Sequence, residues 1–115
     1  MILELVEFKS PAGQSRDEVM EDARHVIDKW RANRQLKRKH FLLSLDGKTG
    51  GGVYIWPSVE AAREAHNEEW RQAVVKRTGS EPTIRYFDLL LLIDNENGAV
   101  TEFAADGQER ALASA

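Results

Sequence analysis

The stretch that decides the fold is Arg38–Trp70, RKHFLLSLDGKTGGGVYIWPSVEAAREAHNEEW. It reads as strand, turn, strand, helix. A second strand of the chain is expected over Leu36–Leu45, and Asp46-Gly47 after it accepts the positive φ of a tight turn. A third strand is expected over Gly51–Trp56. The connection DGKTGGG is longer than a two-residue turn, so a bulge or an extended loop is expected; Gly50–Gly52 either allow a bulge, the favoured reading, or let another group approach the central strand closely. Pro57 ends the strand and Ser58 caps a helix. That helix carries Val59, Ala62, His66, Trp70, Ala73 and Val74 on one stripe and is expected to reach about Arg77, with Asn67 able to re-cap and split it. Gly79 and Pro82 terminate it.

Outward from this segment the pattern repeats. Ile2–Lys9 alternates loosely and reads as a first strand, broken by Pro11 and Gly13. Ser15 with Glu18 is a capping box, and one helix is expected over Arg16–Ala32, with Val19, Ala23, Val26 and Trp30 on its apolar stripe. Thr83–Asp94 reads as a fourth strand. The order βαββαβ predicts a ferredoxin-like α+β fold over residues 1–94, an antiparallel four-stranded sheet of order 4-1-3-2 with two helices on one face. Residues 95–115 are expected to form an extension or arm of the same domain, with a short fifth strand at Ala99–Phe103 and a weak helical tendency around Glu109–Ala113.

Strand four is apolar on both faces of TIRYFDLLLLID. Helices cover only one sheet face, and each exposed Leu forgoes about 1.5–3 kcal/mol of burial. A second copy of the chain is the simplest cover, so a homodimer is expected; the alternative is that the chain's own tail folds over that face.

Composition narrows the function. Among 115 residues there is no cysteine, which excludes disulfides, thiolate zinc sites and a cysteine nucleophile. The net charge of -3 argues against a dedicated nucleic-acid binder. The basic run from Arg31 to His40 reads as a solvated helix end entering an edge strand, or else a local anion site. The longest apolar run, Leu89–Ile93, is far short of the roughly 20 residues of a membrane span. Glu4 and Glu7 interrupt the N-terminal apolar stretch, so a cytoplasmic protein without membrane contact is expected. Gly47-Lys48-Thr49 is not a phosphate loop, because it joins two strands and Leu42 stands where the first glycine belongs. The element order is also that of RNA-recognition modules, but the aromatic signature of their third strand is missing.

The run Arg38–Trp70, together with EPTIRYFDLLLLIDN at the fourth strand, resembles the small mono-oxygenases of the YdhR type, of the dimeric α+β barrel superfamily that also holds the antibiotic-biosynthesis monooxygenases. The resemblance implies a homodimer with a pocket between sheet and helices. It also implies oxygenation of an aromatic or polyketide-like small molecule without a cofactor. Residues after Asn95 exceed the usual family ending.

The candidate chemistry follows. His66 is expected at the centre of the sheet-facing stripe of the second helix, where an imidazole suits proton transfer. His40 and Tyr54 are the other catalytic candidates. Trp56, Trp70 and Tyr86 would give aromatic walls with polar tips, and Arg38 is placed to stabilise an anion. Related quinone-forming monooxygenases use a pocket Asn and Trp, to which Asn67 and Trp70 are a loose match; Asn67 is alternatively a helix cap. Glu4, on a central strand, reads either as a buried carboxylate with a raised pKa and hence a base, or as an interface partner of Arg85. With only three histidines and no ligand spacing, no metal is expected. Two other function classes stay open: a non-catalytic dimeric domain that binds a small hydrophobic ligand or serves in stress, and an isomerase, dehydratase or decarboxylase on the same scaffold.

Overall fold

The computed structural model describes residues 1–114. Its elements are β1 (Ile2–Lys9), α1 (Arg16–His25), α2 (Ile27–Arg31), β2 (Arg38–Leu43), β3 (Thr49–Trp56), α3 (Val59–Ala65), α4 (Glu68–Thr78), β4 (Thr83–Asp88), β5 (Leu91–Asp94), β6 (Ala99–Phe103) and β7 (Glu109–Ser114). The main sheet is antiparallel with order β2-β3-β1-β4, which is the expected 4-1-3-2 read from the other edge. Its helix-facing side holds the core of Val6, Trp30, Tyr54, Trp56, Ala61 and Ala62.

Each expected helix is two. The Ser15–Glu18 capping box forms in both directions and starts α1. The chain leaves helical geometry at Val26, where φ is -111° and ψ is 7°, and α2 then sets Trp30 into the core. The second helix breaks at His66, and Asn67 re-caps α4 by accepting from the Trp70 amide at 2.9 Å. Both breaks sit where a bulky side chain enters the aromatic core. Gly79 ends α4 in the left-handed region at φ 78°, the conformation that favours glycine.

No bulge forms at the triple glycine. The β1–β3 register runs unbroken from Ile2↔Trp56 to Lys9↔Thr49, and β2–β3 is equally regular. The glycines answer to close approach instead. A Cβ on Gly51 would lie 1.9 Å from the Val6 carbonyl oxygen, and one on Gly50 would lie 3.1 Å from the Phe8 ring.

The fourth strand does not continue to Asp94. Its ladder with β1 ends at Ile2↔Asp88, with Leu89 donating to the Met1 carbonyl at 2.9 Å. The Leu90 carbonyl instead accepts from Phe103 at 3.0 Å, and β5 joins a separate sheet of order β5-β6-β7. β6 matches the expected fifth strand. The helical tendency at Glu109–Ala113 is overridden by strand pairing of β7 with β6. The tail therefore builds its own sheet, and Leu90, Leu91 and Ile93 remain 67%, 48% and 63% exposed.

Candidate functional site

Register places four residues in one row across the main sheet. Lys39 on β2 pairs with Tyr54 on β3, Tyr54 with Glu4 on β1, and Glu4 with Tyr86 on β4. Strand alternation aims all four at the helices. Arg38, His40 and Arg85 pair with Ile55, Val53 and Leu5, so they stand on the other face.

At the centre of the row lies a sealed polar cluster. Trp56 Nε1 donates to Glu4 Oε1 at 2.9 Å, and His66 Nδ1 lies 2.8 Å from the same oxygen. Both the Glu4 and His66 side chains are fully buried. Nδ1 makes no well-formed hydrogen bond to the carboxylate despite this distance. Glu4 Oε2 and His66 Nε2 have no protein partner. The His66 ring stands edge-on to Tyr54 and Trp70, with centroids 4.5 and 4.4 Å away.

Beside this cluster, between β1–β3 and the helices, opens a cavity of about 300 Å³. Its apolar lining includes Phe8, Val26, Trp30, Phe41, Trp70 and Val74, and Gly50 and Gly51 leave its floor bare. Gln14, Asp22, Lys29 and Arg77 add half-buried to exposed polar groups. Two polar tips reach it from the sheet, Tyr54 and Lys39. The Lys39 ammonium donates to the Tyr54 hydroxyl in a short contact. It also lies over the rings of Tyr54, Phe41 and Trp30, at 3.7, 4.0 and 4.9 Å from their centroids. A Cβ on Gly52 would be 3.0 Å from Lys39 Nζ, so this glycine leaves the ammonium its place.

Burial pushes the Lys39 amine down to about 7, with Glu4 acting against this and Lys29 adding to it. Burial, helped by the Glu4 charge, pushes the Tyr54 hydroxyl well up, so it stays protonated across the physiological range. Tyr86 is also raised, first by burial and then by Glu4.

Of the residues expected at the site, only Tyr54 and Trp70 line this cavity. His66 faces the sheet as expected but sits behind them, its ring fully buried against Glu4. Trp56 is fully buried on the far side of Glu4. Tyr86 is half-buried at the other end of the row, Asn67 is an exposed helix cap, and His40 is exposed on the opposite face. Arg38 lines a second recess of about 270 Å³ with Arg31, Lys37 and Lys39. The reading of Glu4 as an interface partner of Arg85 is overturned by the register. Lys39 was missed: its run of basic neighbours reads as solvated. The one available signal was parity, since Lys39 shares a face with Phe41, whereas Arg38 and His40 share the other. Among the described residues no group of three or more His, Cys, Asp or Glu is placed to hold a metal. Among them too, no helix is long and apolar enough to cross a membrane.

The fold is shared with solved structures, monooxygenases among them. The structure of a monooxygenase from the gene ActVA-Orf6 of Streptomyces coelicolor, in complex with nanaomycin D, aligns with a TM-score of 0.62 at 18% identity over 80% of this chain and 89% of that one. An antibiotic biosynthesis monooxygenase candidate from Bordetella bronchiseptica aligns with a TM-score of 0.60 at 17% identity, over 78% of this chain and 97% of that one. Rv0793 from Mycobacterium tuberculosis gives 0.59 at 16% identity, over 77% and 94%. At these identities the likeness shows the fold alone. A comparison with curated proteins finds no match. A family model for calmodulin-binding domain C0 of the NMDA receptor NR1 subunit matches residues 14–35. That short segment spans α1 and α2, whose Val26 and Trp30 are already packed on the sheet.

Proposed function

We propose that this chain is a cytoplasmic, homodimeric monooxygenase of the antibiotic-biosynthesis type, acting without a cofactor on an aromatic or polyketide-like small molecule. The observation that carries this reading is the aromatic-walled cavity with the Lys39–Tyr54 pair at its sheet side. It lies on a fold shared with a monooxygenase that holds a small ligand. A flat substrate suits walls made of Trp30, Trp70 and Phe41. The reaction class is oxidation of an activated methylene. The carbon acid loses a proton, and its carbanion gives electrons to dioxygen. One oxygen atom ends in the new carbonyl and the other leaves as water with the two methylene hydrogens. Tyr54 has its hydroxyl oxygen occupied by Lys39, which frees its own proton to donate to the substrate oxygen where negative charge builds. In this reading Tyr54 and Trp70 keep the roles expected of them, His66 and Trp56 support the row from behind, and Tyr86 closes its far end.

The homodimer rests on the second sheet face. Leu3, Leu5, Val53 and Ile55 share it, no helix packs there, and the tail sheet pairs elsewhere. The test of function is oxygen uptake with a panel of anthrones and polycyclic phenols, with product mass read in labelled dioxygen. Incorporation of one labelled atom is expected. Tight binding of the panel with no uptake would instead favour a ligand-binding domain.

A further inference from the structure

We propose that Lys39 is the proton acceptor of this site, taking the proton of a phenol-like or enolisable substrate and keeping the resulting ammonium beside the substrate's oxyanion. This rests on the small-molecule reading above and names the group that reading requires.

Reach and burial together select Lys39: Asp22 also lines the cavity, but it is exposed on α1 and its Oδ2 already accepts from Gln14. The carboxylate of Glu4 and the imidazole of His66 are fully buried behind Tyr54 and do not line the cavity. His40 is on the other sheet face. Tyr54 lines the cavity, but burial holds it protonated, which makes it a donor and not an acceptor. Lys39 lines the cavity, and its Nζ occupies space that Gly52 leaves open beside the Tyr54 hydroxyl.

The surroundings fit both of its protonation states. Burial favours the neutral amine, whose lone pair accepts the proton. Once charged, the ammonium faces the negative faces of Trp30, Phe41 and Tyr54, which attract a cation. The other titratable groups facing it are Tyr54 on β3, Glu4 on β1 and Lys29 on α2. In the step, the substrate O–H or C–H bond breaks, its electron pair stays on the substrate, and the proton binds the Nζ lone pair. The ion pair forms with no net charge change. The second recess, also lined by Lys39, Trp30 and Phe41, offers the proton a route to solvent afterwards.

The experiment uses a nitro-substituted naphthol as probe, which is already the phenolate in solution at about pH 8, where Lys39 is mostly neutral. Its absorption band reports phenol or phenolate, and calorimetry in buffers of different ionisation heat counts protons taken up. Wild type should bind it as the phenolate with about one proton taken up, because Lys39 becomes charged beside the oxyanion. K39R should give phenolate with no uptake, because a guanidinium is charged already. K39M should bind it as the neutral phenol. Binding to wild type as the neutral phenol, or an unchanged phenolate band in K39M, overturns the role of Lys39 and leaves the cavity reading standing. No binding by wild type of the naphthol or the anthrone panel overturns the cavity reading itself. Should K39M fail to fold by circular dichroism, carbon-13 methyl NMR of the wild-type lysines decides: a Lys39 midpoint below about 8 is expected, and one near the ordinary 10.4 overturns the proposal.

Discussion

Glu4 and His66 show how one sealed contact constrains a small core. The carboxylate accepts from Trp56 and lies against an imidazole, while its second oxygen has no protein partner. Removing one partner of a buried polar contact leaves the other unsatisfied, which typically costs about 1–3 kcal/mol. His66→Ala and Glu4→Ala should each lower stability by roughly that amount, read as a drop in the urea midpoint. The double variant should fall short of the sum of the two. Lys39 acts with the opposite sign. Its folded value of about 7 lies below the ordinary 10.5, so the unfolded chain binds the proton more tightly. Stability should therefore rise as pH goes from about 7 to about 10, and Lys39→Met should flatten that rise in a pH series of thermal melts. Above about 10 the raised Tyr54 opposes it, since the unfolded tyrosine ionises first. A buried carboxylate at Glu4 was legible from its place between Ile2 and Val6 on a central strand. The amine was not. Its neighbours Lys37, Arg38 and His40 are exposed, and only the register Lys39↔Tyr54 brings it onto the aromatic face.

Caps and breaks control which side chains reach the core. Asn67 caps α4 at 2.9 Å and is exposed, so Asn67→Ala should cost about 0.5–2 kcal/mol of stability while leaving naphthol affinity within twofold. A large loss of affinity at unchanged stability would return Asn67 to the site. The N-terminus of α4 is tied further by Arg71, which bridges Glu68 and Glu81. The Arg71 hydrogen bonds hold the Glu68 carboxyl down at about 2, so this clamp persists into acid. Strands, caps and sheet order were readable because alternation, Ser15–Glu18 and Ser58 are local signals. Helix breaks were only half readable. Asn67 announces a cap, but Val26 carries no breaker and yields to the packing of Trp30. The split of the fourth strand has no local signal at all, because it depends on the partner to which Leu90 is handed.

At the scale of the whole molecule, the proposed assembly turns on the second sheet face. Val53 is central in it, opposite Leu5 and His40. Val53→Glu should convert the proposed dimer to monomer in sedimentation velocity, with the far-ultraviolet spectrum kept. A wild-type protein that sediments as a monomer at micromolar concentration would remove the dimer from the reading.

The three tryptophans divide by position. Trp30 and Trp70 stand on the cavity wall, whereas Trp56 is fully buried with its indole N–H held by Glu4. The protein thus carries its own optical reporter. A flat ligand in the cavity should quench the emission of the two wall indoles and spare the third. Acrylamide should leave that residual signal almost untouched. Trp30→Phe and Trp70→Phe together would then silence the response to ligand without darkening the protein.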